Sequence, residues 1–188
     1  MLILGIDPGT ARLGFGLIRT QANPKITDLD KRLDGVDYIE AGCIETSLET
    51  PMHQRLLFLQ QEIGVILARY KPDVLAIEQL FFGINAKTAI AVGQARGVVL
   101  AEAAKYEIPL VVEYQGLSVK FALTGFGRAD KKQVQESVRK HLGMEKIIKS
   151  DDAADGLAIA ITHHIKSHSL RESSKNSSSK RKKKATQA

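Results

Sequence analysis

Cysteine is almost absent from this chain, with one residue, Cys43, in 188. That excludes an internal disulfide, and one thiol cannot build a zinc cluster by itself. Cys43 is therefore expected as a small core residue in a protein of a reducing compartment. Long apolar runs are missing as well, since none approaches the roughly 20 residues that cross a bilayer. The N-terminus shows no basic stretch followed by an apolar run and a small-residue cleavage site, so no secretory signal is expected. These absences lead to a cytoplasmic protein that works without a membrane.

Most of the chain also lacks an excess of charge of either sign. Residues 166 to 188 hold eight Lys/Arg and one Glu, which leaves 19 basic and 20 acidic groups in the first 165 residues. The net charge of +6 therefore belongs to the end of the chain. There, "SSKNSSSKRKKKATQA" is serine-rich and has no apolar periodicity, so residues 169–188 are expected as a disordered basic tail. A flexible cationic arm adds salt-sensitive, sequence-independent affinity for nucleic acid. A solvated terminus with no specific role has the same composition. Residues 1–168 suffice for one α/β domain with a buried core.

What is present is strongly patterned. Residues 2–7 read as a strand, "GFGLIRT" (14–20) as a second, and "VDYIEAGCIET" (36–46) as a third, an antiparallel meander. The polar stretch 21–35, broken by Pro24, reads as a loop or ragged hairpin insertion. From His53 to Tyr70 leucines and isoleucines recur at helical spacing. "DVLAIE" (73–78) is a short buried strand, 87–105 an Ala-rich helix and "PLVVE" (109–113) a further strand. Helices at about 131–142 and 152–168 complete the domain. Three strands followed by alternating helix and strand predict an α/β fold, a five-stranded mixed sheet with helices on both faces.

The first strand, in "LGIDPGT", ends on Asp7 and breaks at once on Pro8-Gly9. A charge at the tip of a buried strand is costly unless it has a partner. Alone, Asp7 is equally well a cap for its own turn. Glu78, however, terminates "LAIE" in the same way, and parallel neighbours would place both acids on the carboxyl rim where open α/β sheets hold their sites. Asp152 and Asp155, three apart in "DDAADGLAIAITHH", share one face near the start of a helix. Asp151 is accounted for by the favourable N-terminal end of that helix. Four converging carboxylates raise each other's pKa and call for cations, and hard oxygen donors favour Mg²⁺ or Mn²⁺. Two such ions about 4 Å apart are a known apparatus for in-line attack of water on a phosphodiester. His163 and His164, two turns further on, are expected as ordinary helix residues.

The segments "GIDPGT", "GFG", "AIEQLFFGINAKTA", "GQARGV" and "DAADGLAIAITHH" follow one another in an order that resembles the RuvC family of Holliday-junction resolvases, from Met1 to about Lys166. The resemblance implies an RNase H-like fold over residues 1–168 and a homodimer that makes paired, symmetric nicks across four-way junction DNA. It further implies two Mg²⁺ ions per site, with Mn²⁺ able to substitute, and the RuvA–RuvB branch-migration complex as partner. The family's acidic quartet maps onto Asp7, Glu78, Asp152 and Asp155. Lys120 and Lys131 match family lysines near the cleaved strand, where they would neutralise transition-state charge. Phe81 falls where the family has an aromatic able to stack on an unpaired base, and Phe82 beside it is expected in the core. Arg96, in "GQARG", is assigned to the support of DNA or of the dimer. The insertion near 21–34 and the lysine-rich tail depart from the family pattern without touching the acids.

Other readings share parts of this pattern. Actin-like ATPases also begin "GIDxGT", but they need a second such domain and further glycine-rich phosphate loops, which this chain lacks. Another RNase H-like nuclease acting on RNA or hybrid duplex would use the same metals, and "GQARG" with "FF" argues for the junction enzyme. A non-catalytic junction-binding scaffold would gain nothing from four clustered negatives.

Overall fold

The central strand, β1 (Leu2–Asp7), pairs antiparallel with β2 (Arg12–Thr20), which pairs antiparallel with β3 (Val36–Glu45). On its other side β1 pairs parallel with β4 (Val74–Glu78), and β4 pairs parallel with β5 (Leu110–Tyr114). The sheet order is β3-β2-β1-β4-β5, the mixed five-stranded sheet expected. The computed structural model describes residues 1–21, 32–80 and 86–185, with side chains from 89 to 169 in the last segment. The insertion at 21–35 thus lies largely outside the described residues.

Strand alternation sorts the side chains into two cores. Leu4, Ile6, Leu13, Phe15, Leu17, Leu75 and Ile77 face α1 (Met52–Tyr70) and α2 (Ala86–Lys105). Ile3, Ile18, Val74 and Ala76 point to the opposite face, covered by α3 (Gly116–Thr124), α4 (Lys131–Leu142) and α5 (Asp151–Ala185). Each face of the sheet therefore buries one apolar layer of its own.

Glycine decides how closely α5 lies on the sheet. A Cβ at Gly5 or Gly16 would run into the backbone of α5 at Gly156 and Leu157, and one on Gly156 would sit 2.5 Å from the Phe15 carbonyl carbon. With side chains removed from both surfaces, backbone packs on backbone. The "GFG" of the sequence is thus the bed of the helix that carries two of the four acids.

Three details differ from the sequence reading. β2 begins at Arg12, two residues early, because the Pro8-Gly9 turn is tighter than a glycine-to-glycine strand suggests. α3 is an additional helix; its nine residues are too short for a periodic pattern to stand out, and Gln115 at its start makes no side-chain cap. α5 is helical through Ala185, whereas the periodic pattern ends near 168. No glycine or proline follows Gly156, so the sequence contains no stop signal. By contrast, α4 has the bounds expected and the clearest ends. Asp130 and Gln133 form a reciprocal capping box at 2.8 and 2.9 Å, and Gly143 closes it at φ 61°.

Candidate active site

β1 and β4 run parallel with Ile6 opposite Ile77, so the next residues, Asp7 and Glu78, leave the sheet side by side on its carboxyl rim. Their parity in the strands is that of Ile3 and Gly5, and of Val74 and Ala76, so both point to the α5 face. The first turns of α5 lie there, resting on Gly14 and Gly16, and add Asp152 and Asp155. Three elements distant in sequence thus bring the four predicted acids to one place.

Their protonation equilibria show how close the acids are. Burial, followed by a hydrogen bond with Glu78 and the charges of Glu78 and Asp152, pushes the Asp7 carboxyl up to about 7. Burial raises Glu78 as well, against the hydrogen bond from Asp7; the charge of Asp155 adds to the rise and Lys120 opposes it. Burial and the charge of Asp7 push Asp155 up to about 6, against the pull of Lys131. The hydrogen bond between Asp7 and Glu78 fits this rise, because two desolvated neighbouring carboxylates do not both ionise readily.

Both predicted lysines arrive at the same cluster. Lys120, on α3, lines a cavity of about 100 Å³ with Glu78, Gly116, Val119, Val134, Asp155 and Ile159. Lys131 opens α4 and places its Nζ 3.2 Å from Asp151. Asp151 also accepts a 2.7 Å hydrogen bond from Gln135, so it ties α4 to α5 in addition to favouring the helix N-terminus.

One cation at the site escaped the sequence reading. Arg12 donates to Asp152 at 2.6 Å and pairs with Glu45 at 3.0 Å. Its signal was the "PGTAR" turn, which returns the chain to the rim five residues after Asp7. This pairing turns Asp152 toward Arg12, while Asp7 and Glu78 bond to each other. Among the described residues no three Asp, Glu, His or Cys side chains close into a ready-made metal shell. The donor chemistry nevertheless fits a hard divalent cation. All four groups are carboxylates, and three are held above their ordinary pKa by burial and mutual repulsion, which a bound cation would relieve.

The family model described as crossover junction endodeoxyribonuclease RuvC matches residues 3–163. The chain belongs to the RuvC family. A crossover junction endodeoxyribonuclease RuvC of Desulfitobacterium hafniense is 52% identical over 163 residues, 87% of this chain and 92% of that protein. The structure of RuvC from Thermus thermophilus superposes with a TM-score of 0.75 at 32% identity, covering 88% of this chain and 94% of that one. A second structure, described as T. thermophilus RuvC in complex with Holliday junction substrate, gives 0.74 at 30% identity and the same coverage. RuvC proteins are metal-dependent nucleases, and the RNase H-like α/β fold and the endonuclease class expected from the sequence both stand.

Of the remaining RuvC-derived expectations, Phe81 and Phe82 lie outside the described residues. Arg96 on α2 is mostly buried and pairs with Glu113 of β5, which fastens the helix to the sheet edge. Cys43 is half-buried on β3, and burial raises its thiol pKa. The two histidines are more engaged than ordinary helix positions require. His163 Nδ1 lies 2.8 Å from the Tyr114 hydroxyl, and both His163 and His164 are buried. Among the described residues no helix is long and apolar enough to cross a membrane.

Proposed function

We propose that this protein resolves four-way DNA junctions by paired, symmetric nicks, with Asp7, Glu78, Asp152 and Asp155 as the catalytic acids that hold two Mg²⁺ ions, Mn²⁺ being able to replace them. The observation that carries this reading is the meeting of four carboxylates from β1, β4 and α5 on one rim, three of them with raised pKa. Divalent ions bound there supply activation of water and neutralisation of the leaving 3′ oxygen. The rest is done by the chain. The fixed β1–β4 register holds Asp7 and Glu78 at the scissile phosphate, and the glycine bed of α5 fixes Asp152 and Asp155 opposite them. Lys120 and Lys131 offset the negative charge that grows on the phosphate in the transition state. Phe81 stacks on an unpaired base, and Arg96, paired with Glu113, supports the DNA or the dimer from α2.

A single chain has one quartet and cuts one strand at a time. A homodimer supplies a second, symmetry-related site for the opposed strand of a nearly two-fold symmetric junction. The protein then serves homologous recombination and DNA repair in the cytoplasm, downstream of the RuvA–RuvB branch-migration complex. The test is cleavage of mobile and static four-way junctions in Mg²⁺, with linear duplex and RNA–DNA hybrid as controls. Paired, ligatable nicks confined to junctions are expected. Preferential cutting of the hybrid would replace this reading with a ribonuclease.

A further inference from the structure

Among the described residues several large apolar side chains are exposed, and three of them fall within ten residues on and just after α3, whose Lys120 lines the catalytic cavity. Leu117, Phe121 and Phe126 are 67%, 63% and 61% exposed. Leu117 and Phe121 share one face of α3 with Lys120, at spacings of three and four, while Val119, Ala122 and Leu123 point into the core. Lys120 is also a wall of the catalytic cavity. The apolar pair therefore flanks a residue that reaches the acids, and the patch continues directly from the site.

The patch is held rigidly. The Leu123 carbonyl accepts the Ser137 hydroxyl at 2.6 Å and lies 3.0 Å from His141 Nε2, which pins α3 to α4. After Gly125 (φ 72°), the Thr124 hydroxyl donates to the Lys120 carbonyl at 2.8 Å and accepts from the Phe126 amide at 3.1 Å. Exposed side chains on so fixed a backbone lose little conformational freedom on contact with a ligand. Around them Arg128 and Lys132 are exposed, while two acids beside Phe126 are already engaged, Asp130 in the α4 cap and Glu136 with Arg139. An apolar platform with a cationic rim suits a nucleotide chain, whose bases and sugars are apolar faces between anionic phosphates. A protein seated on Leu117 and Phe121 would cover Lys120 and obstruct the catalytic cavity.

We propose that the outer face of α3, Leu117, Lys120 and Phe121 with Phe126 beyond it, grips the nucleotides that flank the scissile phosphate. The phenylalanine rings pack on base and sugar, and the cations meet the phosphates. This rests on the junction-cleaving function proposed above. Leu117, Phe121 and Phe126 are positioning residues, since they touch the strand and not the reacting atoms.

The test uses the full-length protein and four-way junctions carrying 2-aminopurine next to the cut position. Binding is read in an Asp7→Asn background and cleavage in the otherwise wild-type chain. Phe121→Ala is expected to weaken junction binding by about ten-fold, within the range of one base–aromatic stack, and Leu117→Ser by less. Melting temperatures should be unchanged because both side chains are exposed. Phe121→Trp should restore binding, and the 2-aminopurine quench seen on binding should vanish in Phe121→Ala alone. Binding and cleavage within two-fold of wild type for the Leu117→Ser/Phe121→Ala double variant would overturn the proposal. So would a change of oligomeric state by light scattering, which would make this face a subunit interface. A wild-type protein that neither binds nor cuts a junction would instead remove the function on which the proposal rests.

Discussion

Asp7 should cost the folded protein stability that it returns as catalysis, and Asp7→Asn measures this. A carboxyl whose proton leaves at about 7 rather than at the ordinary 3.8 carries roughly 4 kcal/mol of desolvation and repulsion at pH 8. Part of that belongs to the hydrogen-bonded pair with Glu78 and not to Asp7 alone, so about 2 kcal/mol is the reasonable gain when Asn replaces Asp7. For a domain of this size that is a rise in melting temperature of about 4–8 °C. The sign follows from linkage. The folded state holds the Asp7 proton more tightly than the unfolded one, so wild-type stability is fully present below about pH 4 and is lost as pH rises through about 7. The advantage of the variant should be largest at pH 8 and less than half as large at pH 5. Differential scanning calorimetry in EDTA at the two pH values measures it, and millimolar Mg²⁺ should narrow the gap by stabilising only the wild type. Nicking should be abolished in the variant at either pH. A variant less stable than wild type at pH 8, or equally stabilised at pH 5 and 8, would refute the burial-and-repulsion account of the site.

Three other outcomes follow from particular contacts. Arg12→Ala releases Asp152 from an exposed pair worth about 0–1 kcal/mol, so the Mg²⁺ concentration giving half-maximal thermal stabilisation should fall up to about five-fold in a titration. Gly16→Ala forces a methyl into the backbone of α5 at Leu157; it should cost about 1–3 kcal/mol by urea unfolding. Because the shift moves Asp152 and Asp155, nicking should fall even well below the melting temperature. Deleting residues 171–188 removes seven Lys/Arg and one Glu, which should weaken binding to all DNA alike and flatten its salt dependence in fluorescence-anisotropy titrations. Cleavage position and junction preference should not change.

Strand and helix periodicity, a charge at each of two strand tips and an Asp-x-x-Asp pair at a helix start are local features, and all were legible in the sequence. They determined the mixed sheet and pointed to Asp7, Glu78, Asp152 and Asp155 as a set, because a desolvated carboxylate without a partner is too costly to keep for packing alone. Which face each acid takes and what answers its charge were settled only in three dimensions. The β1–β4 register turns Asp7 and Glu78 toward α5, and Gly5, Gly14 and Gly16 let that helix approach to backbone contact. Arg12 finds Asp152 from 140 residues away in the chain, and α3 leaves Leu117 and Phe121 uncovered beside Lys120. Pairings of this kind depend on where separate elements dock, and no local propensity encodes the distance between them.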